Sequence, residues 1–170
     1  MLELIAQTRK ALDANLYYIG LFSALAIPDI CGAIESPDGE ATGARYRAWY
    51  HQYVIPRYDT LSADECYHYR CTALHQGRSE PSKAKDYERI LFIEPSEAQR
   101  LRINSKRVRV GDETAIMIHL VDLIQSILAA AEHWIATSRG PEPFQTNYDR
   151  FMHRHPNGFS RLVVGLPVIT

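Results

Sequence analysis

Apolar positions near the start of the chain recur at three- and four-residue steps. Leu4, Ile5, Leu12, Leu16, Ile19 and Phe22 make one stripe with Arg9, Lys10 and Asp13 off it, which predicts a long first helix over Leu2–Leu25. Pro28 and Asp29 predict the opening of a short second helix through Ile34, stopped by Ser36-Pro37-Asp38-Gly39. A third helix is expected over 43–54, carrying Tyr46, Trp49, Tyr50 and Tyr53 and ended by Pro56. The fourth has the sharpest boundaries. Ser62 and Glu65 have the spacing of a capping box, and Gly77 fits the residue just past a helix end.

Beyond Gly77 the period changes. Ser79–Asp86 is polar and loop-like, whereas Arg89–Glu94, Arg100–Ile103 and Arg107–Val110 alternate polar and apolar residues as strands do. A last long helix is expected over about 115–136, with Ile116, Leu120, Leu123, Ile124, Ile127, Leu128 and Trp134 on its apolar side. Residues 139–170 hold four of the nine prolines and no sustained period, so this stretch should wrap the domain or trail from it. The expected fold class is mainly α: a helical bundle over 1–136, with a small antiparallel β-ribbon at about 88–111 inserted before the last helix. An irregular segment, 137–170, follows.

Composition narrows the class without naming a function. The 170 residues, 46% hydrophobic and 23% charged, suit one soluble domain with its own core. The N-terminal stretch lacks the basic-then-apolar order of a secretory leader, and Pro28 with Asp29 makes 14–34 a poor membrane span. Three cysteines without that leader suggest reduced thiols, hence a cytoplasmic location. A net charge of −1 gives no global pull on nucleic acid, so any polyanion contact must come from local clustering.

The densest chemistry lies in Arg70-Cys71-Thr72-Ala73-Leu74-His75, at the end of the fourth helix. Five residues rotate a helical side chain by about 140°, so Arg70 and His75 share no narrow face. They converge if the last turn unwinds near Gly77, or if a second subunit completes a cleft. The plainer alternative is an exposed arginine beside a histidine that favours the negative end of the helix dipole. Cys66, Cys71 and His75 offer too few ligands for a zinc site, and no Cys-x-x-Cys pair completes them. No metal or cofactor is expected.

The order of elements around that motif is also informative. Tyr17-Tyr18-Ile19-Gly20-Leu21-Phe22-Ser23-Ala24-Leu25-Ala26-Ile27-Pro28-Asp29-Ile30-Cys31-Gly32 is followed by a Trp/Tyr helix and then by Asp64–Gly77 with its Arg-x4-His. This arrangement, over roughly residues 1–136, resembles the HEPN superfamily (higher eukaryotes and prokaryotes nucleotide-binding), marked by an Arg, four to six residues, then a His. The resemblance implies an α-helical bundle that dimerises to bring two motifs to one cleft. It also implies metal-independent endoribonuclease activity of the kind found in toxins and phage defence, with an antitoxin or other protein as a possible partner. His75 would then be the general acid/base at a ribose 2′-hydroxyl or leaving oxygen, and Arg70 the phosphate clamp. Catalytic members often carry Asn or Asp after the Arg; here the residue is Cys71.

Arg100, Arg102, Lys106, Arg107 and Arg109 place five cations in ten residues of a nearly neutral chain. They are candidate RNA-phosphate contacts beside the motif, against the alternative of a solvated sheet face paired with Glu88, Glu94 and Glu97. Tyrosines 46, 50, 53, 58, 67 and 69 offer base-stacking surfaces, although their helical spacing favours core or dimer packing. Two rival functions remain: a non-catalytic helical dimerisation or interaction protein, and a nucleotide-binding module without cleavage.

Overall fold

The predicted first helix is two helices. α1 (Leu2–Asp13) ends at Ala14, Asn15 takes the left-handed conformation at φ 57°, and α2 (Tyr17–Ile34) packs back against α1. Asparagine enters that conformation more readily than most residues. The apolar stripe runs straight through the break, so periodicity alone does not reveal it. A Cβ on Gly20 would lie 3.0 Å from a Leu12 methyl, which shows how closely the two helices approach. The computed structural model describes residues 1–80, 87–95, 106–140 and 142–170.

α2 also absorbs the expected second helix, because Pro28 sits inside it rather than at its start. Proline removes one main-chain donor, but Ile27, Pro28, Cys31 and Gly32 are all buried, and packing holds the helix through the gap. By length and composition α2 is apolar enough to cross a membrane; half of it is buried against the rest of the fold. It contacts α1 and each of the helices α3, α4, α5 and α6 introduced below, so it is the central helix.

α3 (Gly43–Trp49) is capped by Thr42, whose hydroxyl accepts from the Arg45 N–H, and runs on as a π-helical turn over Tyr50–Val54. In that turn the Ile55 N–H reaches back five residues to the Tyr50 carbonyl at 3.1 Å. Tyr46, Trp49 and Tyr50 are buried, and Trp49 meets Trp134 edge-on. α4 (Ala63–Gln76) has both halves of its capping box, and Gly77 ends it at φ 64°. There Arg78 N–H bonds the Thr72 carbonyl and Gly77 N–H the Ala73 carbonyl, satisfying two groups a helix end leaves open.

The ribbon differs from expectation. β1 (Arg89–Ile93) pairs in parallel with β3 (Glu113–His119), while β2 (Lys106–Val110) pairs antiparallel with β3, giving the order β1-β3-β2. The sheet is therefore mixed, and the Arg100–Ile103 strand falls outside the described residues. β3 takes Ala115–Ile118 from the predicted last helix, which as α5 starts only at Leu120 and runs to Ser138. Ala115, Ile116 and Ile118 are all buried. A strand covered on both faces is continuously apolar, and over four residues that pattern equals the start of a buried helix. The chain is thus largely helical, but with a sheet of three strands among the described residues, a mixed class rather than a plain α-bundle.

The C-terminal segment starts inside the core and then leaves it. In α6 (Phe144–Asp149), Phe144 and Tyr148 are buried, with the Phe144 ring tilted against Trp134 at 5.1 Å between centroids. The Asn147 amide donates to the Ile34 and Ser36 carbonyls and so closes the end of α2. Two short pairs follow: β4 (Arg154–His155) with β7 (Val168–Ile169), and β5 (Gly158–Phe159) with β6 (Val163–Val164). Leu162, Val164, Leu166 and Ile169 are exposed there.

Candidate functional site

Arg70 and His75 both belong to α4, which stays helical through Gln76. The last turn does not unwind, and no second subunit is needed for the two to meet: Arg70 Nη1 lies 3.2 Å from His75 Nε2. The arginine side chain is long enough to sweep around the helix and cover the 140° offset. A guanidinium has donors only, so as a hydrogen bond this contact uses Nε2 as acceptor and leaves the ring proton on Nδ1. His75 is exposed.

The guanidinium is held from behind by a residue that motif reasoning missed. Arg70 Nη2 lies 2.6 Å from Asp29 Oδ2, and the two side chains are only 21% and 13% exposed. Its sequence signal is a lone acid in the otherwise uncharged α2. Burial pushes the Asp29 carboxyl above its ordinary range, with Arg70 and, more weakly, His75 pulling it back. At Arg70 burial works downward, yet the Asp29 charge together with Cys71 and Tyr46 outweighs it and the guanidinium is held more firmly charged. The two ends thus respond in opposite senses. We take the ion pair as the resting state, because a guanidinium does not release its proton in a protein. The pairing is incomplete: among the described residues, buried Arg70 Nε has no hydrogen-bond partner, and Asp29 Oδ2 faces Nη2 without an aligned N–H.

Glu65 is not the partner of Arg70. Its carboxylate accepts from the Ser62 N–H and hydroxyl, and Arg107 Nη2 of β2 reaches it at 2.6 Å. Burial works upward on Glu65, but these donors prevail and hold its carboxyl below the ordinary range. Arg107 also lies 5.3 Å over the Tyr87 ring. Glu65 and Arg70 project about 140° apart on α4, so the sheet docks on a different flank from the motif.

The other cations scatter. Arg109 is exposed opposite Thr114, and Lys106 opens β2 opposite Met117. Arg100 and Arg102 lie outside the described residues. Tyr46, Tyr50, Tyr53 and Tyr69 are buried and serve the core, while Tyr67 carries the Arg47 guanidinium 4.6 Å above its ring. Cys66 is buried with its sulfur 3.4 Å from the Tyr46 hydroxyl, and burial pushes its thiol up to about 11. Among the described residues no three His, Cys, Asp or Glu side chains cluster as metal ligands.

The constellation is therefore an exposed imidazole in contact with a guanidinium that a half-sunken carboxylate anchors. Such a group can accept a proton at Nε2 once the Arg70 N–H turns from the ring to an anion. Comparison of the chain with protein-family models, with curated proteins and with solved structures gives no match in any of the three.

Proposed function

We propose that this chain is a HEPN-like, metal-independent endoribonuclease, or a relative that retains RNA binding, acting as a cytoplasmic homodimer of toxin or defence type. The observation that carries this reading is the 3.2 Å contact between Arg70 and exposed His75, with Asp29 behind the guanidinium. Once Arg70 Nη1 turns from the ring to the phosphate, His75 Nε2 takes the proton of a ribose 2′-hydroxyl, and that oxygen attacks the adjacent phosphorus. The His75 imidazolium returns that proton to the departing 5′-oxygen, and a 2′,3′-cyclic phosphate remains. Arg70, fixed through Nη2, turns its other N–H groups to the phosphate oxygens as charge builds on them. Exposed Leu16, Tyr18 and Ile19 give α2 an apolar edge on which a second copy can pack.

The test is incubation of purified protein with RNA in EDTA, wild type against His75→Ala. Cleavage should fall by roughly 10²–10⁴-fold in the variant, with an unchanged circular dichroism spectrum. RNA left intact by the wild type across pH and sequence would remove the nuclease reading. Light scattering that returns a 19.4 kDa monomer at high concentration would count against a shared cleft.

A second reading, a non-catalytic interaction protein, is favoured by the exposed Leu162, Val164, Leu166 and Ile169 near the C-terminus. Under that reading RNA stays intact, and charged substitutions at these positions abolish self-association or partner capture while His75→Ala changes nothing.

A further inference from the structure

A cavity of about 340 Å³ lies between the second half of α2, the turn that follows it and the end of α6. That volume stands at the small end of the range for ligand sites. Asp29 and Arg150 both line it, beside an apolar wall of Ile30, Ala33 and Phe151. We propose that this cavity binds a free α-amino acid with an aliphatic side chain, a function that does not depend on RNA cleavage.

The two charges stand at different ends. Arg150 directly follows α6, and Asn147 ties that helix to the end of α2 by donating to the Ile34 and Ser36 carbonyls. Gly39 approaches on the same side. A Cβ there would lie 3.0 Å from Asn147 Oδ1 and 3.7 Å from Arg150 Nη1. The guanidinium therefore sits near the C-terminal end of α2, which is Ile34. Asp29 comes a turn and a half earlier, about 7.5 Å back along the helix axis. An ammonium and a carboxylate joined through one carbon, with a hydrogen bond at each end, span roughly 8 Å.

Charge selects the head group. A simple anion drawn to Arg150 would face the Asp29 carboxylate, and a simple cation at Asp29 would face the guanidinium. A molecule carrying both signs meets each with its opposite, through charge-assisted hydrogen bonds at both ends. Asp29, 13% exposed, is the deeper anchor, and exposed Arg150 closes over the carboxylate from the solvent side. The wall selects the side chain. Ile30, Ala33 and Phe151 offer hydrocarbon contact, where a polar side chain would give up water without gaining a partner. Asp29 also anchors Arg70 through Oδ2, so the ligand and the Arg70–His75 contact share one acid.

Titration calorimetry on the full chain, with L-leucine as the probe, tests this. The wild type should bind leucine saturably. Leucine without its carboxylate (3-methylbutylamine) and without its amine (4-methylpentanoate) should each bind roughly tenfold more weakly or worse. Arg150→Ala should lose leucine affinity by about the same factor, with an unchanged circular dichroism spectrum. Arg150→Glu should reverse the preference, taking 3-methylbutylamine better than leucine, an outcome that a merely structural arginine would not produce. His75→Ala should bind leucine as the wild type does, whatever its effect on RNA, so this proposal and the nuclease reading fail separately. No saturable heat at millimolar leucine, equal affinity for leucine and its two half-molecules, affinity unchanged in Arg150→Ala, or binding lost with His75 would each overturn the assignment.

Discussion

Helix α4 carries a carboxylate–arginine pair on each of two flanks, both 2.6 Å long, and they are built for different ends. At Glu65 the acid is saturated: the Ser62 N–H, the Ser62 hydroxyl and Arg107 all donate to it, and its carboxyl is held below the ordinary range. At Asp29 the acid is more buried and less satisfied, and its carboxyl is pushed above that range. The first pair is a strut that ties the sheet to the capped start of a helix. The second leaves its arginine partly unmet and touching an exposed base. An equal distance therefore does not mean an equal role; what differs is how many donors each carboxylate has already accepted.

The largest effect should come from Arg70→Lys. On the proposed nuclease function, an ammonium cannot hold Asp29 and present a planar fork to phosphate at once, so RNA cleavage should fall by about 10²-fold or more while the fold survives. Turnover close to wild type would make Arg70 a second strut and erase the contrast.

Stability measured against pH should separate the two acids next. Glu65 is depressed in the fold, so its contribution is complete above the unfolded value near pH 4 and is lost as pH falls below it. Asp29 is raised, so its burial cost applies above its folded value and is relieved as pH falls through it. Between about pH 6 and 3, Glu65→Gln should therefore flatten the acid loss of stability, and Asp29→Asn should steepen it. Equal slopes in the two variants, read by urea unfolding, would refute the distinction.

The smallest effect concerns the sheet cations. Arg109→Glu should leave stability unchanged and lower the salt dependence of RNA binding by about one unit of slope if this face tracks phosphate. Arg107→Ala should instead cost about 0.2–1 kcal/mol through the lost strut, with less effect on that slope. The reverse order would make Arg107 the RNA contact.

Local chemistry was legible in the sequence, and long-range pairing was not. Ser62, Glu65 and Gly77 marked α4 to the residue, because a cap and a left-handed stop are written in neighbouring positions. The turn at Asn15 carried no Gly or Pro and lay on an unbroken apolar stripe, so only packing against Leu12 reveals it. Pro28 signalled a helix start but lies in a helix interior that burial sustains. Ile116 and Ile118 read as helix because both faces of β3 are covered, and the parallel β1–β3 pair joins segments with no local signal for each other. Of the candidate site, Arg70 and His75 were visible as a motif. Asp29 was visible only as a lone acid among apolar residues, since its meaning depends on which side chain α4 brings to it.

The π-helical turn at Tyr50–Val54 bears on how this chain can change in length. Such a turn is an α-helix holding one residue more than its hydrogen-bonding register requires. Deleting exposed His51 or Gln52 would let the turn close to ordinary α geometry, while Trp49 before it and Val54 after it keep their inward directions. One residue removed inside α4 or α5 would instead rotate everything downstream by about 100° and turn core side chains outward. Relatives of this chain that differ by a single residue in the middle helix would then share its aromatic core unchanged.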